Sequence, residues 1–392
     1  MIYLLNNFIA LEALLAMRRI CNPEIVCSIQ TESTKFYSLI AQSVEQQTVN
    51  LLVRGSNPRR GANINTLMKP LSIPIKVETL VPMNYKFIEW KIHNICNHDC
   101  VFCAPQTKDG TQPWFDIETY KRYVDKLAFL KKEQPMWIQI TGGEPTLFPE
   151  LLELLQYIKT KGIYVSLISN GVRTLRWWNE VKEANVLNSL FLTFHCDQTR
   201  DYAHIAEVAN LFHDKPVSVS CWITHTEKTI DFSYEAFEYL RKNTGALILI
   251  KAMFIGNYDI YKIYTKEQLA RLKGAFCRGE RPNKVKTLVP KEYDFDHRLK
   301  VKYDDGTSTV TWPQAIMKNQ KNNFYGWGCN IGQDTMRIDY NNISRGVCMV
   351  GGTRDLSEDN LFFSKDSIQC DVPTCMCSID IIATKELTKN TN

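Results

Sequence analysis

Three cysteines fall within eight residues, Cys96, Cys100 and Cys103 in "CNHDCVFC". Three thiolates on one short loop suit an iron–sulfur cluster. Three protein ligands on a cubane leave one iron without a protein donor. An open coordination position is what a reactive centre needs, and catalytic zinc sites are three-liganded for the same reason. The competing reading is a structural zinc site completed by His98, although the spacing is unlike ordinary zinc pairs. A second group, Cys329, Cys348, Cys370, Cys375 and Cys377, lies near the C-terminus. Cys196, Cys221 and Cys277 stand alone and read as buried apolar residues.

These side chains need a scaffold, and the pattern from residue 86 onward supplies one. "KFIEWKI" (86–92) alternates as a strand and runs directly into the cysteine loop. Helical patterns near 116–132, 150–162, 174–184, 200–212 and 233–243 alternate with strand patterns at 136–141, 163–169, 189–195, 217–224 and 246–255. In "ELLELLQYIKTKG", Leu151, Leu154, Leu155 and Ile158 share one helical face, and Gly162 ends the helix. Strands alternating with helices imply a parallel sheet of right-handed βαβ units. Ligand chemistry then belongs at the carboxyl ends of the strands. That is where the cysteine loop, "GGEP" (142–145), "SNG" (169–171) and "HCD" (195–197) fall.

Cys-x3-Cys-x2-Cys with Phe102 before the last cysteine resembles the signature of radical S-adenosylmethionine (SAM) enzymes. "TGGEPTL" (141–147) is similar to that superfamily's glycine-rich motif, and "ISNG" (168–171) to its ribose-contacting segment. The resemblance covers most of residues 85–255. It implies an α/β fold, a partial (β/α)6 barrel (an incomplete TIM barrel). It also implies a [4Fe-4S] cluster on Cys96, Cys100 and Cys103, with SAM chelating the fourth iron. Gly142 and Gly143 then let backbone approach the methionine moiety, Glu144 accepts from its ammonium, and Pro145 stiffens the turn. Ser169 and Asn170 reach ribose hydroxyls, Phe102 lies near the adenine, and His195 faces the same mouth or packs in the core.

"MRIDYNNISRGVC" reads as a β-hairpin turning at Asn341–Asn342 with a cysteine at each end. With the cysteines that follow, it resembles the twitch/SPASM extension of the same enzymes. Five cysteines rather than seven imply one auxiliary [4Fe-4S] cluster. Four of the five would ligate it: Cys329, Cys348, Cys375 and Cys377, with Cys370 competing or replacing one. Structural zinc is the alternative there. The expected C-terminal domain is a small β-hairpin/helix unit over 326–392, after a radical SAM core at 83–260 and a connecting region at 261–325. In the latter, "TKEQLARLKGAF" reads as a helix with a Thr265/Gln268 capping box, and "YDDGTSTVTW" as a hairpin. Tyr258, Lys251 and Arg337 could meet substrate, but surface or packing roles are the favoured reading.

Residues 1–82 share no pattern with the rest. "AQSVEQQTVNLLVRGSNPRRGA" (41–62) resembles a transfer-RNA gene read in frame. "GSNP" can be written GGT TCG AAT CCC, a TψC arm, and "AQSVEQ" and "QTVNL" can encode a D-arm and an asparagine anticodon arm in the right order. The expectation is a mis-called or disordered extension, with the native chain starting near Met83.

The 392-residue chain is 44% hydrophobic and 23% charged with a formal net charge of +5, which fits a globular protein and argues against a nucleic-acid partner. No apolar run approaches a membrane span. The resemblance implies a cytoplasmic radical enzyme fed by an electron donor such as flavodoxin or ferredoxin. Its substrate is expected to be a small metabolite (a sugar, aminocyclitol or nucleotide). The alternatives are a peptide- or protein-modifying maturase and a non-catalytic iron–sulfur carrier.

Overall fold

The computed structural model describes residues 72–131, 134–251, 264–272, 276–282, 297–319, 321–358, 361–375 and 377–387. The transfer-RNA-like stretch and Tyr258 lie outside them. After an opening strand β1 (Pro74–Thr79), the chain alternates strand and helix. It runs β2 (Lys86–Lys91), α1 (Ile117–Leu130), β3 (Met136–Thr141), α2 (Leu151–Thr160), β4 (Tyr164–Ser169), α3 (Leu175–Ala184) and β5 (Ser189–His195). Next come α4 (Tyr202–Leu211), β6 (Ser218–Thr224), α5 (Ile230–Asn243) and β7 (Leu247–Lys251). Strands β2 to β7 pair in sequence order, all parallel. Each helix presents one apolar stripe, such as Leu151, Leu154, Leu155 and Ile158 on α2, to the strand residues Ile88, Trp90, Ile138, Ile140, Val165 and Leu167. Full burial of one such aliphatic side chain contributes about 1.5–3 kcal/mol. Side chains cap the helices: Asp116 accepts from Thr119 N–H, Thr174 from Trp177 N–H and Asp201 from His204 N–H. Gly162 takes φ +64° past the end of α2, as its reading as a terminator requires.

Strand β8 (Phe276–Arg278) pairs antiparallel with β7. The expected helix after Thr265 is α6 (Lys266–Leu272), with the capping box formed in both directions. A hairpin follows, β9 (Leu299–Tyr303) and β10 (Ser308–Thr311), with Gly306 at φ +82° in its turn. Then come α7 (Pro313–Lys318), β11 (Gly328–Cys329), β12 (Thr335–Asp339), β13 (Asn342–Ser344), β14 (Thr353–Asp355), β15 (Ile368–Gln369), α8 (Ser378–Ile382) and β16 (Lys385–Glu386).

Three expectations need correction. Strand β1 is not foreign to the rest. It sits between β9 and β16 in a six-stranded sheet, with Val77 in that sheet's core, so a start at Met83 would delete an internal strand. The C-terminal hairpin is not confined to a separate unit either. β12 pairs in parallel with β2, so β12, β13 and β14 extend the main sheet to ten strands. Its turn lies one residue earlier than read, with Tyr340 at φ +64° and Asn342 already paired to Asp339.

The two faces of the main sheet differ. Alternate residues carry the apolar core toward the helices. The opposite face carries Phe87, Trp137 and Tyr164 low on the strands, covered by Ile379 of α8. Higher up it carries Glu89, Gln139, Ser166, Trp222 and Lys251, placed together by the ladder registers. Among the described residues, no helix is long and apolar enough to cross a membrane.

Candidate functional site

The cysteine loop leaves β2 and is fastened at its base. Ile92 N–H continues the ladder to Thr141 O. Asn94 is fully buried. Its amide donates to Gln106 O, Asp109 Oδ1 and Thr111 Oγ1, and its Oδ1 accepts Gln112 N–H at 2.8 Å. One side chain thus ties both ends of the loop. No motif in the sequence singles it out. The only signal is a short polar residue two places before Cys96. At the tip, Val101 N–H donates to Asp197 and Asp99 N–H to Gln198, so "HCD" after β5 anchors the loop from the other side.

The three thiols converge. Cys100 is buried, Cys96 half-buried and Cys103 exposed. The Cys100 thiol donates to Cys103, which lowers Cys103 to about 7 and raises Cys100, while burial raises Cys96. A thiolate-forming group on an accessible loop is a metal donor in waiting. The donor set therefore fits a three-thiolate iron–sulfur cluster. The resemblance leaves His98 out of the ligand set, yet ligand atoms of His98, Cys100 and His195 lie within 4.8 Å of one another. Such a set suits zinc, but it shares Cys100 with the three thiols, so the two metal readings exclude each other.

"GGEP" follows β3 and lies against this loop, not apart from it. Gly143 N–H donates to His93 O and Glu144 N–H to Ile95 O, both at 2.8 Å. A Cβ on Gly143 would stand 2.2 Å from Ile95 O, and one on Gly142 2.7 Å from His93 O. The close approach that requires glycine here is to the backbone of the cysteine loop. Glu144 is also turned inward. Its Oε1 accepts from Thr146 N–H, Thr146 Oγ1 and Ser169 Oγ, and its Oε2 from Asn170 N–H at 2.7 Å. Burial pushes its carboxyl up and these bonds oppose that. Pro145 opens a buried 3₁₀ turn. Ser169 and Asn170 are buried as well. Ser169 serves Glu144, and Asn170 Nδ2 donates to Asn97 Oδ1 at 2.8 Å, which ties "SNG" to the cysteine loop.

His195 ends β5 on the inner face. Its Nδ1 meets Thr224 Oγ1 at 2.8 Å and its Nε2 meets Thr193 Oγ1 at 2.9 Å. Phe102 stacks on it at 5.8 Å, and His98 meets it edge-on. Burial, with His98 adding to it, lowers the imidazole to about 4, so it is neutral at pH 7. Cys96, Cys100, Cys103, Phe102, "GGEP", "SNG" and His195 thus gather at one end of the parallel sheet.

The second cysteine group gathers too. Cys329 on β11, Cys348 beyond β13, Cys370 after β15, and Cys375 line one small cavity with Asp380 and Lys385. Asp380 accepts Val347 N–H and Cys348 N–H, which fixes Cys348. Cys377 is not among the lining residues. It opens instead onto a cleft with Glu89 and Arg337, while Cys370 shares the cavity with Cys329, Cys348 and Cys375. Burial raises Cys348 and Cys375 to about 12, so a metal would have to displace their protons. Cys196 and Cys221 are buried as read, while Cys277 is half-buried on the edge strand β8.

Known proteins are similar to parts of this chain. The chain is 25% identical over 217 residues to GTP 3',8-cyclase of Mannheimia succiniciproducens, covering 52% of this chain and 58% of the relative. It is 30% identical over 86 residues to the mycofactocin maturase MftC of Mycobacterium ulcerans, covering 22% of each. Each match spans less than two thirds of the relative's own length. The crystal structure of Streptococcus suis SuiB superposes with a TM-score of 0.44 at 13% identity, over 71% of this chain and 64% of that one. The model of the Radical SAM superfamily matches residues 90–256, which hold all three cysteines of the first loop, "GGEP", "SNG" and His195. Over those residues the chain is similar to a Radical SAM superfamily domain.

Proposed function

We propose that the protein cleaves SAM reductively at a [4Fe-4S] cluster held by Cys96, Cys100 and Cys103 and acts on a small metabolite, a nucleotide being the favoured class. When bound, cluster and SAM supply a 5'-deoxyadenosyl radical that takes a hydrogen atom from substrate. The observation that carries the reading is the joint anchoring of the cysteine loop by "GGEP", "SNG" and "HCD" at the carboxyl ends of parallel strands. In this reading Glu144 positions Ser169 and Asn170, and neutral His195 with Phe102 walls the site. The matched cyclase favours a nucleotide substrate. The maturase match favours the alternative, a peptide or protein substrate.

The sheet is read as a partial barrel. The charge of Lys251 on β7 interacts with Glu89 on β2 and with Cys377, which an evenly flat sheet would keep apart. The four-cysteine cavity is read as a twitch-type auxiliary cluster site on Cys329, Cys348, Cys370 and Cys375. Clusters of this kind work in a reducing compartment, here the cytoplasm, with a flavodoxin- or ferredoxin-like donor. Anaerobic reconstitution followed by iron and sulfide analysis tests the reading. About eight irons per chain support it, and zinc in place of iron refutes it.

A further inference from the structure

The inner face of the main sheet carries more charge than the cluster site needs, and nearly all of it is paired. Arg337 on β12 meets Glu89 on β2 at 2.8 Å, as neighbours in the ladder, and reaches Asp339 at 3.9 Å. Lys91 meets Asp339 at 3.1 Å and is itself buried. Two cations and two anions cancel. One cation remains.

Lys251 ends β7. The registers set it in a row with Thr224 on β6 and His195 on β5, at the carboxyl edge that faces the cysteine loop. Its side chain is open to solvent, but protein surrounds it deeply enough that burial lowers the amine. Among the described residues no hydrogen bond or salt bridge engages its ammonium. What holds it is the face of Trp222, 4.0 Å away, and Trp222 is backed by Phe191 at 5.0 Å. A cation over an aromatic face keeps its remaining donors free and its direction fixed. The lysine is thereby held against the inner face, two strands along the ladder from His195.

We propose that Lys251 anchors an anionic group, phosphate or carboxylate, of the substrate at the mouth of the sheet. This rests on the radical SAM reading of the site. An ammonium whose donors are unspent forms charge-assisted hydrogen bonds with such oxygens. Of the anions that act on it, Glu89 is already paired with Arg337. The proposal also gives the inner face a polarity. The cluster loop and His195 stand at one side of the substrate, and the anion is held at the other, which fixes the carbon presented for hydrogen abstraction.

The test uses the full-length, iron-loaded protein under anaerobic conditions at constant ionic strength. Inorganic pyrophosphate and malonate are titrated separately by calorimetry, so that the two arms distinguish a phosphate from a carboxylate. Wild type is expected to bind one of them saturably. Lys251→Met is expected to weaken that binding by about tenfold to a hundredfold, the share of one hydrogen bond to a charged group. Lys251→Arg is expected to restore most of it, and both variants keep the wild-type iron content and unfolding midpoint. Should the variants fold poorly, wild type still decides. Modification of Lys251 by an amine-reactive reagent, read by peptide mass spectrometry, must slow when the bound anion is present. Binding of neither probe, equal binding by Lys251→Met, or absence of protection overturns the proposal. Formation of 5'-deoxyadenosine by wild type without added substrate is read in the same preparation. Its loss would overturn the radical SAM reading itself, whereas its presence with no anion binding overturns only the role of Lys251.

Discussion

Replacing Gly143 with alanine should separate the two backbones that build the site. The new Cβ would stand 2.2 Å from Ile95 O, 2.5 Å from Ile95 C and 2.8 Å from Asn94 C, all of them backbone atoms. Cβ contacts below 3.0 Å essentially never occur, so the strand and loop must part by at least 0.8 Å. That opening breaks or stretches Gly143 N–H to His93 O and Glu144 N–H to Ile95 O. Each such bond contributes about 1 kcal/mol net, and a buried carbonyl left unpaired costs about 1–3 kcal/mol. Two such bonds and one unpaired carbonyl come to about 3–5 kcal/mol of stability. A displacement near 1 Å at a reacting centre can cost about a hundredfold in rate. Gly306→Ala is the control. Gly306 has φ +82° but nothing within 4 Å of the methyl that alanine would add, so only the left-handed backbone cost of about 1–2 kcal/mol applies. Denaturant unfolding and 5'-deoxyadenosine formation are measured on both variants. If Gly143→Ala unfolds at the wild-type midpoint and cleaves SAM within twofold of wild type, the packing argument is wrong.

Two further outcomes follow from the side chains. Cys370→Ser should lose about four irons per chain and Cys377→Ser none, because Cys370 lines the four-cysteine cavity and Cys377 does not; the reverse result would restore Cys377 as a ligand. His93 is fully buried, its Nδ1 accepts Ile95 N–H, and burial lowers it to about 4. The fold therefore keeps it neutral, so its contribution is complete above its unfolded value near 6.5 and declines as pH falls toward 4. Between pH 7 and pH 5 wild type should lose about 2 kcal/mol more than His93→Gln, from about 1.5 pKa units. Parallel pH profiles of the denaturation midpoint would exclude this role.

Much of the scaffold can be read from local patterns. The six parallel strands and five intervening helices follow from periodicity, because each element shows its apolar face within a dozen residues. The cysteine loop, "GGEP", "SNG" and "HCD" are legible as strand-end motifs, but what they do locally is not. Glycine at 143 reads the same whether a ligand or a neighbouring loop comes close. Glu144 reads the same whether it faces a ligand or Ser169. The long-range pairings are invisible: β1 with β9, β12 with β2, and Cys370 with Cys329. Each joins segments tens to hundreds of residues apart, and no local pattern encodes the partner. Lys251 reads as surface for the same reason, since only the registers place it beside Trp222 and His195.

The most direct test of the account is SAM cleavage by reconstituted, dithionite-reduced protein, with 5'-deoxyadenosine and methionine quantified together. Wild type should form both in equal amounts. Cys100→Ala should form neither, because it removes the buried member of the three-thiol set. No 5'-deoxyadenosine from iron-replete wild type, or cleavage retained by Cys100→Ala, would contradict the central claim.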